Sequence, residues 1–283
     1  MTREVLNNKP MQWNGRKLDF SEKTYIMGIL NLTPDSFSDG GKYTGTDYAV
    51  AHAVQMVEQG ADIIDAGGES TRPGAVKIEA EEELRRVIEP LKEVRKHVDV
   101  PISIDTYKAR VAEAALEAGA DIINDVWGAK HDPDMARVAA SYGVPVILMH
   151  NREKPEYTDL MEDVISDLKE SIDICLKAGV KEEKIILDPG IGFAKSYEEN
   201  LIVMRHLDRI TGLGYPVLLG TSKKSLIAKT LDLPVDERKE GTGATVCYGI
   251  DKGCQIVRVH DVLEMSRMAK MMDAMIGKGG TNG

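Results

Sequence analysis

What the chain lacks narrows its reading first. No stretch approaches the ~18 consecutive apolar residues of a membrane-spanning helix, and the opening residues carry no apolar run of the length a secretory leader needs. A cytoplasmic location without a membrane partner is therefore expected. Only three cysteines occur, Cys175, Cys247 and Cys254, none in a C-x-x-C or Cys/His spacing. Such thiols read as reduced, buried and structural rather than as disulfides or zinc ligands. The sequon Asn31-Leu-Thr33 has no meaning in that setting. Positive charge is also in short supply: 36 Lys and Arg against 46 Asp and Glu leave a formal net charge of −10. That balance lacks the basic footprint behind nucleic-acid affinity, so no nucleic-acid partner is expected.

Familiar catalytic and nucleotide signatures are missing as well. Gly190-Ile-Gly192 is followed by Phe193-Ala194-Lys195, without the third glycine of a dinucleotide fingerprint, and Gly241-Thr-Gly243 ends in Val246. Gly214 and Gly220 are one residue too far apart for a phosphate-binding loop, and Thr221 stands where its lysine is required. No His-Glu-x-x-His and no nucleophile elbow occurs, which removes the sequence basis for zinc or serine hydrolysis.

What is present is the material of a globular α/β protein, with 42% hydrophobic and 29% charged residues over 283 positions. That length admits two domains or one α/β barrel of ~250 residues. Asn14-Gly15 between short alternating runs predicts a small β-hairpin within 1–23. Eight short apolar runs follow, at 25–32, 61–66, 101–106, 121–126, 144–150, 184–189, 216–221 and 255–260. Helix-period segments separate them, among them 47–59, 79–97, 108–118, 132–142, 160–178 and 197–210, with 262–276 after the last strand. Strand–helix alternation implies a parallel sheet. With no composition break, it fits a single (β/α)8 TIM barrel over 24–276 better than an open doubly wound sheet. Glycine-marked helix-to-strand turns and long polar loops at 31–46 and 67–78 put the chemistry on one face. Residues 277–283 read as a flexible tail.

Asn31, Asp65, Asp105, Asn124, Asp125, His150, Asp188 and His260 fall at the C-terminal ends of predicted strands. Each costs about 1–3 kcal/mol if buried without a partner, and together they mark a site. Two carboxylates, Asp105 and Asp188, with the amide of Asn124 suit a flat heterocycle bearing NH and NH₂ groups. Lys223, Lys224, Arg258 and His260, after the last two strands, suit an anionic, phosphate-like group.

Two long segments sharpen this reading. Met27-Gly-Ile-Leu-Asn-Leu-Thr-Pro-Asp-Ser-Phe-Ser-Asp-Gly-Gly41 and Asp65-Ala-Gly-Gly-Glu-Ser-Thr-Arg-Pro-Gly74 closely resemble the signature segments of the dihydropteroate synthases. Further matches run from Ser103-Ile-Asp-Thr106 through Asp188-Pro-Gly-Ile-Gly-Phe-Ala-Lys195 to Arg258-Val-His-Asp261. The resemblance implies a transferase that condenses 6-hydroxymethyl-7,8-dihydropterin pyrophosphate with p-aminobenzoate, releasing pyrophosphate and giving 7,8-dihydropteroate for folate synthesis. It implies a sulfonamide target, Mg²⁺ as cofactor and a homodimer. Carried over residue by residue, it implies pterin contacts from Asp105, Asn124, Met149, Asp188, Lys224 and Arg258. Pyrophosphate contacts would come from Asn31, Arg258 and His260, with Asn31 also on Mg²⁺. The p-aminobenzoate side would be shaped by Thr71, Arg72, Pro73, Phe193, Lys224 and Ser225, and catalysis would rest on Asp105, Asp188 and Lys224. Ser222-Lys223-Lys224 departs from the family's usual Ser-Arg-Lys, which leaves Lys223 without an assigned role. A pterin-binding methyltransferase domain and a non-catalytic pterin-binding module are the alternatives; neither accounts for both signature segments and the pyrophosphate cations.

Overall fold

The computed structural model describes residues 6–33, 45–70 and 76–280. A two-residue turn with positive φ at Asn14 and Gly15 joins β1 (Pro10–Trp13) and β2 (Arg16–Asp19) into the antiparallel hairpin the sequence predicts. Met11, Trp13, Leu18 and Phe20 turn inward and are buried. The hairpin sits under the N-terminal ends of the barrel strands. Arg16 bonds Asp99 and Asp121, and Lys184 donates to the Gln12 carbonyl.

Eight parallel strands follow: β3 (Tyr25–Asn31), β4 (Ile63–Gly67), β5 (Ile102–Asp105), β6 (Ile122–Asp125), β7 (Val146–Met149), β8 (Ile185–Asp188), β9 (Leu218–Leu219) and β10 (Ile256–Val259). They pair in the order β8-β7-β6-β5-β4-β3-β10-β9. A bridge between Leu187 and Val217 closes the ring. Near-continuous Ile, Val and Leu runs are what strands covered on both faces require, and β5, β6, β7 and β8 are buried at every position. The expected (β/α)8 barrel is the fold. None of the described helices is long and apolar enough to cross a membrane.

The helices are α1 (Gly45–Glu58), α2 (Ala80–His97), α3 (Ala109–Glu117), α4 (Met135–Tyr142), α5 (Leu160–Lys177), α6 (Tyr197–Arg205), α7 (Leu207–Thr211), α8 (Ser225–Leu231), α9 (Lys239–Asp251) and α10 (Val262–Met275). Charge placement supports α2, which opens on Glu81, Glu82 and Glu83 and ends on Arg95, Lys96 and His97, complementing its dipole.

Four details differ from the sequence reading. The helix expected over 197–210 breaks at His206, whose amide is shared between the Ile202 and Val203 carbonyls. The strand expected over 216–221 shrinks to β9, because the Gln255 side chain, rather than a strand, takes the Val217 N–H. Cys175 and Cys254 are buried, but Cys247 is partly exposed. Helices α8 and α9 do not stand out by pattern. In α9 the buried face is built largely from Thr242, Gly243 and Gly249, and these glycines serve close packing. A Cβ at Gly249 would lie 2.3 Å from a methyl of Leu219, and one at Gly243 would lie 2.4 Å from the Met268 sulfur. Through Gly280 the tail forms a single 3-10 turn tied back by the Gly279 N–H to Ser21; residues 281–283 lie outside the described part.

Candidate active site

Because parallel strands end on one face, the polar residues that close them are brought together without any sequence proximity. Asp105 and Asn124 are register partners at the ends of β5 and β6, and Met149 is paired with Asp188 at the ends of β7 and β8. From β10 the Arg258 side chain crosses to β4 and β5. Its Nε donates to Asp65 Oδ2 at 2.6 Å and its Nη2 to Asp105 Oδ2 at 2.8 Å. The Asn124 amide donates to the same Asp65 carboxylate at 3.2 Å. Asp65, Asp105, Asn124 and Asp188 are all buried. The second oxygen of Asp105, Oδ1, is buried with no hydrogen-bond partner. An orphaned carboxylate oxygen costs stability unless something is meant to meet it.

Burial dominates the electrostatics. It pushes the Asp105 carboxyl up to about 7, with Arg258 opposing and Asp65 adding to the rise. Burial also raises Asp188, against the pull of Lys224 and the Gly190 N–H, which donates to Asp188 Oδ1 at 2.7 Å. For Lys224 burial works the other way, pushing its amine down to about 8 against the attraction of Asp188. Burial disfavours the Arg258 charge, yet Asp65 and Asp105 more than offset it and raise its pKa.

The cations sit close to one another. A Cβ at Gly220 would stand 3.8 Å from both Lys224 Nζ and Arg258 Cβ, so this glycine leaves the space they share. Lys224 Nζ donates to the Ile191 carbonyl at 2.6 Å and lies 4.7 Å from the centre of the Phe193 ring. Phe193 in turn belongs to an apolar cluster with Tyr107, Val126, Trp127 and Met149, separate from the main core. An apolar cluster thus adjoins the buried acids and Lys224.

Beside Arg258, at the ends of β3 and β10 and on α1, Ile29, Asn31, Tyr48, His52 and His260 line a cavity of about 250 Å³. The Ser222 hydroxyl oxygen accepts the His260 N–H at 3.1 Å and lies 2.9 Å from its Nδ1. When that hydroxyl donates to Nδ1, the ring carries its proton on Nε2. Asn31 offers one hard oxygen donor, and among the described residues no group of three or more His, Cys, Asp or Glu is placed to hold a metal ion.

The structure therefore brings together Asp105, Asn124, Met149, Asp188, Phe193, Lys224 and Arg258, and sets Asn31 and His260 on one adjoining cavity. Ser225 stands exposed at the start of α8. Thr71, Arg72 and Pro73 lie outside the described residues. Lys223 points elsewhere, to Asp261 at 3.1 Å. Asp125 accepts the N–H groups of Trp127 and Ala129 and closes its own loop. Sequence reasoning placed Asp65 among the strand ends that mark the site but gave it no role; its link to Arg258 spans the chain and leaves no local signal. His52 and Tyr48, on α1, were missed for the same reason.

Comparison with known proteins gives the family. Residues 27–260 match the family model of the pterin binding enzymes. A dihydropteroate synthase of Bacillus subtilis is 60% identical over 279 residues, covering 99% of this chain and 96% of that protein. A Clostridium difficile dihydropteroate synthase, crystallised in the presence of pteroic acid, superposes with a TM-score of 0.89 at 53% identity, covering 91% of this chain and 98% of the other. The Xanthomonas albilineans enzyme with 4-aminobenzoic acid gives a TM-score of 0.90 at 39% identity, covering 94% and 98%. With its barrel, its strand-end acids and these relatives, the chain belongs to the pterin binding enzymes and, among them, to the dihydropteroate synthases.

Proposed function

We propose that this dihydropteroate synthase joins 6-hydroxymethyl-7,8-dihydropterin pyrophosphate to p-aminobenzoate at the mouth of the barrel, with the residues above in defined roles. The observation that carries the reading is the buried Asp105 carboxylate, held on one oxygen by Arg258 and unpartnered on the other. A pterin presents N–H and NH₂ donors along one edge, which Asp105, Asn124 and Asp188 can bind. Met149 would lie under the ring, and Arg258 would stack near it. The relatives' complexes with pteroic acid and 4-aminobenzoic acid support both halves of the substrate assignment.

In the reaction the bond between the pterin methylene carbon and the pyrophosphate oxygen breaks, its electron pair leaving with pyrophosphate. The arylamine nitrogen attacks that carbon and then loses a proton to solvent or to the departing pyrophosphate. Asp105 and Asp188 stabilise the positive charge the pterin develops, so neither a covalent nucleophile nor a strong base is needed. Arg258 and His260 meet the charge growing on the leaving group. Lys224 and the Phe193 ring, with Thr71, Arg72, Pro73 and Ser225, shape the p-aminobenzoate side. The Asn31 oxygen fits Mg²⁺ in the usual manner of that ion, which takes one or two protein donors and otherwise substrate phosphates and water. Bound there, Mg²⁺ would supply further neutralisation of pyrophosphate charge.

We read 24–276 as the unit that carries the reaction. Exposed Tyr248, Met271 and Met275 on the adjacent helices α9 and α10 support a homodimer, and three free thiols support a cytoplasmic location. The deciding experiment measures pyrophosphate release from the dihydropterin pyrophosphate with Mg²⁺, with and without p-aminobenzoate. Release that requires p-aminobenzoate and yields dihydropteroate is the expected result. Tight pterin binding without release would leave only a binding module.

A further inference from the structure

The loop 190–195 after β8 touches Lys224 through three consecutive residues. Lys224 Nζ donates to the Ile191 carbonyl at 2.6 Å, its stem lies against Gly192, where a Cβ would come within 3.0 Å of Lys224 Cδ, and its charge faces the Phe193 ring. This loop is conformationally expensive. Gly190, Gly192 and Ala194 all have positive φ, and a Cβ at Gly190 would collide with the His150 carbonyl at 1.9 Å. An alanine in the left-handed region persists only where surrounding contacts impose it.

Lys195, Tyr157 and Asn200 supply such contacts. Lys195 Nζ donates to the carbonyls of Gly190 and Phe193 at 3.0 and 3.1 Å and lies 2.8 Å from His150 Nδ1. The His150 side chain is fully buried, and its Nε2 lies 3.1 Å from Asp167 Oδ2. An ionised carboxylate only accepts, so Nε2 must carry the ring proton and donate it to Asp167, which leaves Nδ1 of the neutral ring to accept from Lys195. Tyr157 Oη donates to the Ala194 carbonyl at 2.6 Å, and the Asn200 side chain takes the Gly192 N–H at 2.7 Å.

We propose that Lys195, oriented through His150 by Asp167, is a positioning residue: it clamps the 190–195 loop so that the Ile191 carbonyl and the Phe193 ring hold Lys224 in place on the p-aminobenzoate side. This rests on the assignment of Phe193 and Lys224 to that side. Lys195 touches no substrate. Its removal should therefore change the arylamine's binding more than the pterin's, which shares Lys224 but whose other polar partners Asp105, Asn124 and Asp188 stand on strands.

The test measures steady-state kinetics of Lys195→Met and Phe193→Ala beside the unaltered enzyme, together with ¹⁵N spectra of the histidine rings. For Lys195→Met the KM for p-aminobenzoate should rise about 10-fold or more, while that for the dihydropterin pyrophosphate stays within about 3-fold. In the unaltered enzyme His150 should be neutral with its proton on Nε2. Equal changes in both KM values, or none, in a folded Lys195→Met protein would overturn the proposal. So would a proton on Nδ1 of His150, a measurement that needs no variant to fold. If Phe193→Ala leaves the p-aminobenzoate KM unchanged, the underlying site assignment falls instead, and the two failures are distinguishable.

Discussion

Arg258 donates from Nε to Asp65 at 2.6 Å, tying the last strand of the barrel to its second across 193 positions of sequence. The same guanidinium holds Asp105 with Nη2, so one planar fork sets two buried carboxylates at fixed angles.

Asp65→Ala should be costly for that reason. It leaves Arg258 with one acid in place of two and removes the acceptor of the Asn124 amide. Breaking a buried pair from one side typically costs about 3–5 kcal/mol. Urea unfolding should show a midpoint lowered by that free energy divided by the slope m. An unchanged midpoint would mean that Asp105 alone satisfies Arg258.

Asp105→Asn keeps the shape of the side chain and removes its charge. As a group that stabilises positive charge in the transition state, Asp105 should be worth at least ~100-fold in kcat. Turnover within a factor of a few, in a protein with unchanged circular dichroism, would remove it from the catalytic role.

The pH profile should report the same residue. Burial pushes Asp105 up to about 7, and the carboxylate is the active form, so kcat/KM for the dihydropterin pyrophosphate should fall as pH drops through neutrality. Lys224, pushed down to about 8 by burial, should give the alkaline limb. An acid limb near 4, where ordinary carboxyls titrate, would contradict this picture.

His150 should make stability depend on pH. Burial lowers its pKa to about 4, with the Asp167 hydrogen bond opposing. Between that value and the ordinary 6.5 the unfolded chain binds the proton and the folded one does not. Stability is thus full above about 6.5 and is lost as pH falls towards 4, by up to about 3 kcal/mol. The difference in urea midpoint between the unaltered protein and His150→Gln should shrink over that window. A constant difference would show that His150 keeps its ordinary pKa.

Gly249→Ala tests the packing of α9. The added methyl would lie 2.3 Å from a Leu219 methyl, and overpacking of this kind costs about 1–3 kcal/mol. A fall in Tm is expected, and a neutral or stabilising effect would mean that Leu219 has room to move.

The sequence by itself determined the barrel and most of its floor. Apolar runs with the period of buried strands, most of them ending in polar residues, place Asp105, Asn124 and Asp188 on one face, because parallel strands all end there. The two signature segments added the chemistry. Tertiary structure alone decided which groups meet. That Arg258 grips Asp65 and Asp105, that Lys224 rests on the Ile191 carbonyl, and that Lys195 meets His150 are contacts between distant strands and loops, with no periodicity or spacing to announce them. Helix α9 escaped the pattern because its buried face is small and glycine-rich, shaped by its neighbours α10 and β9 rather than by its own amphipathicity. Local propensity and hydrophobic period are carried by neighbouring residues in the chain; hydrogen-bond partners and glycine clearances are properties of the packed whole.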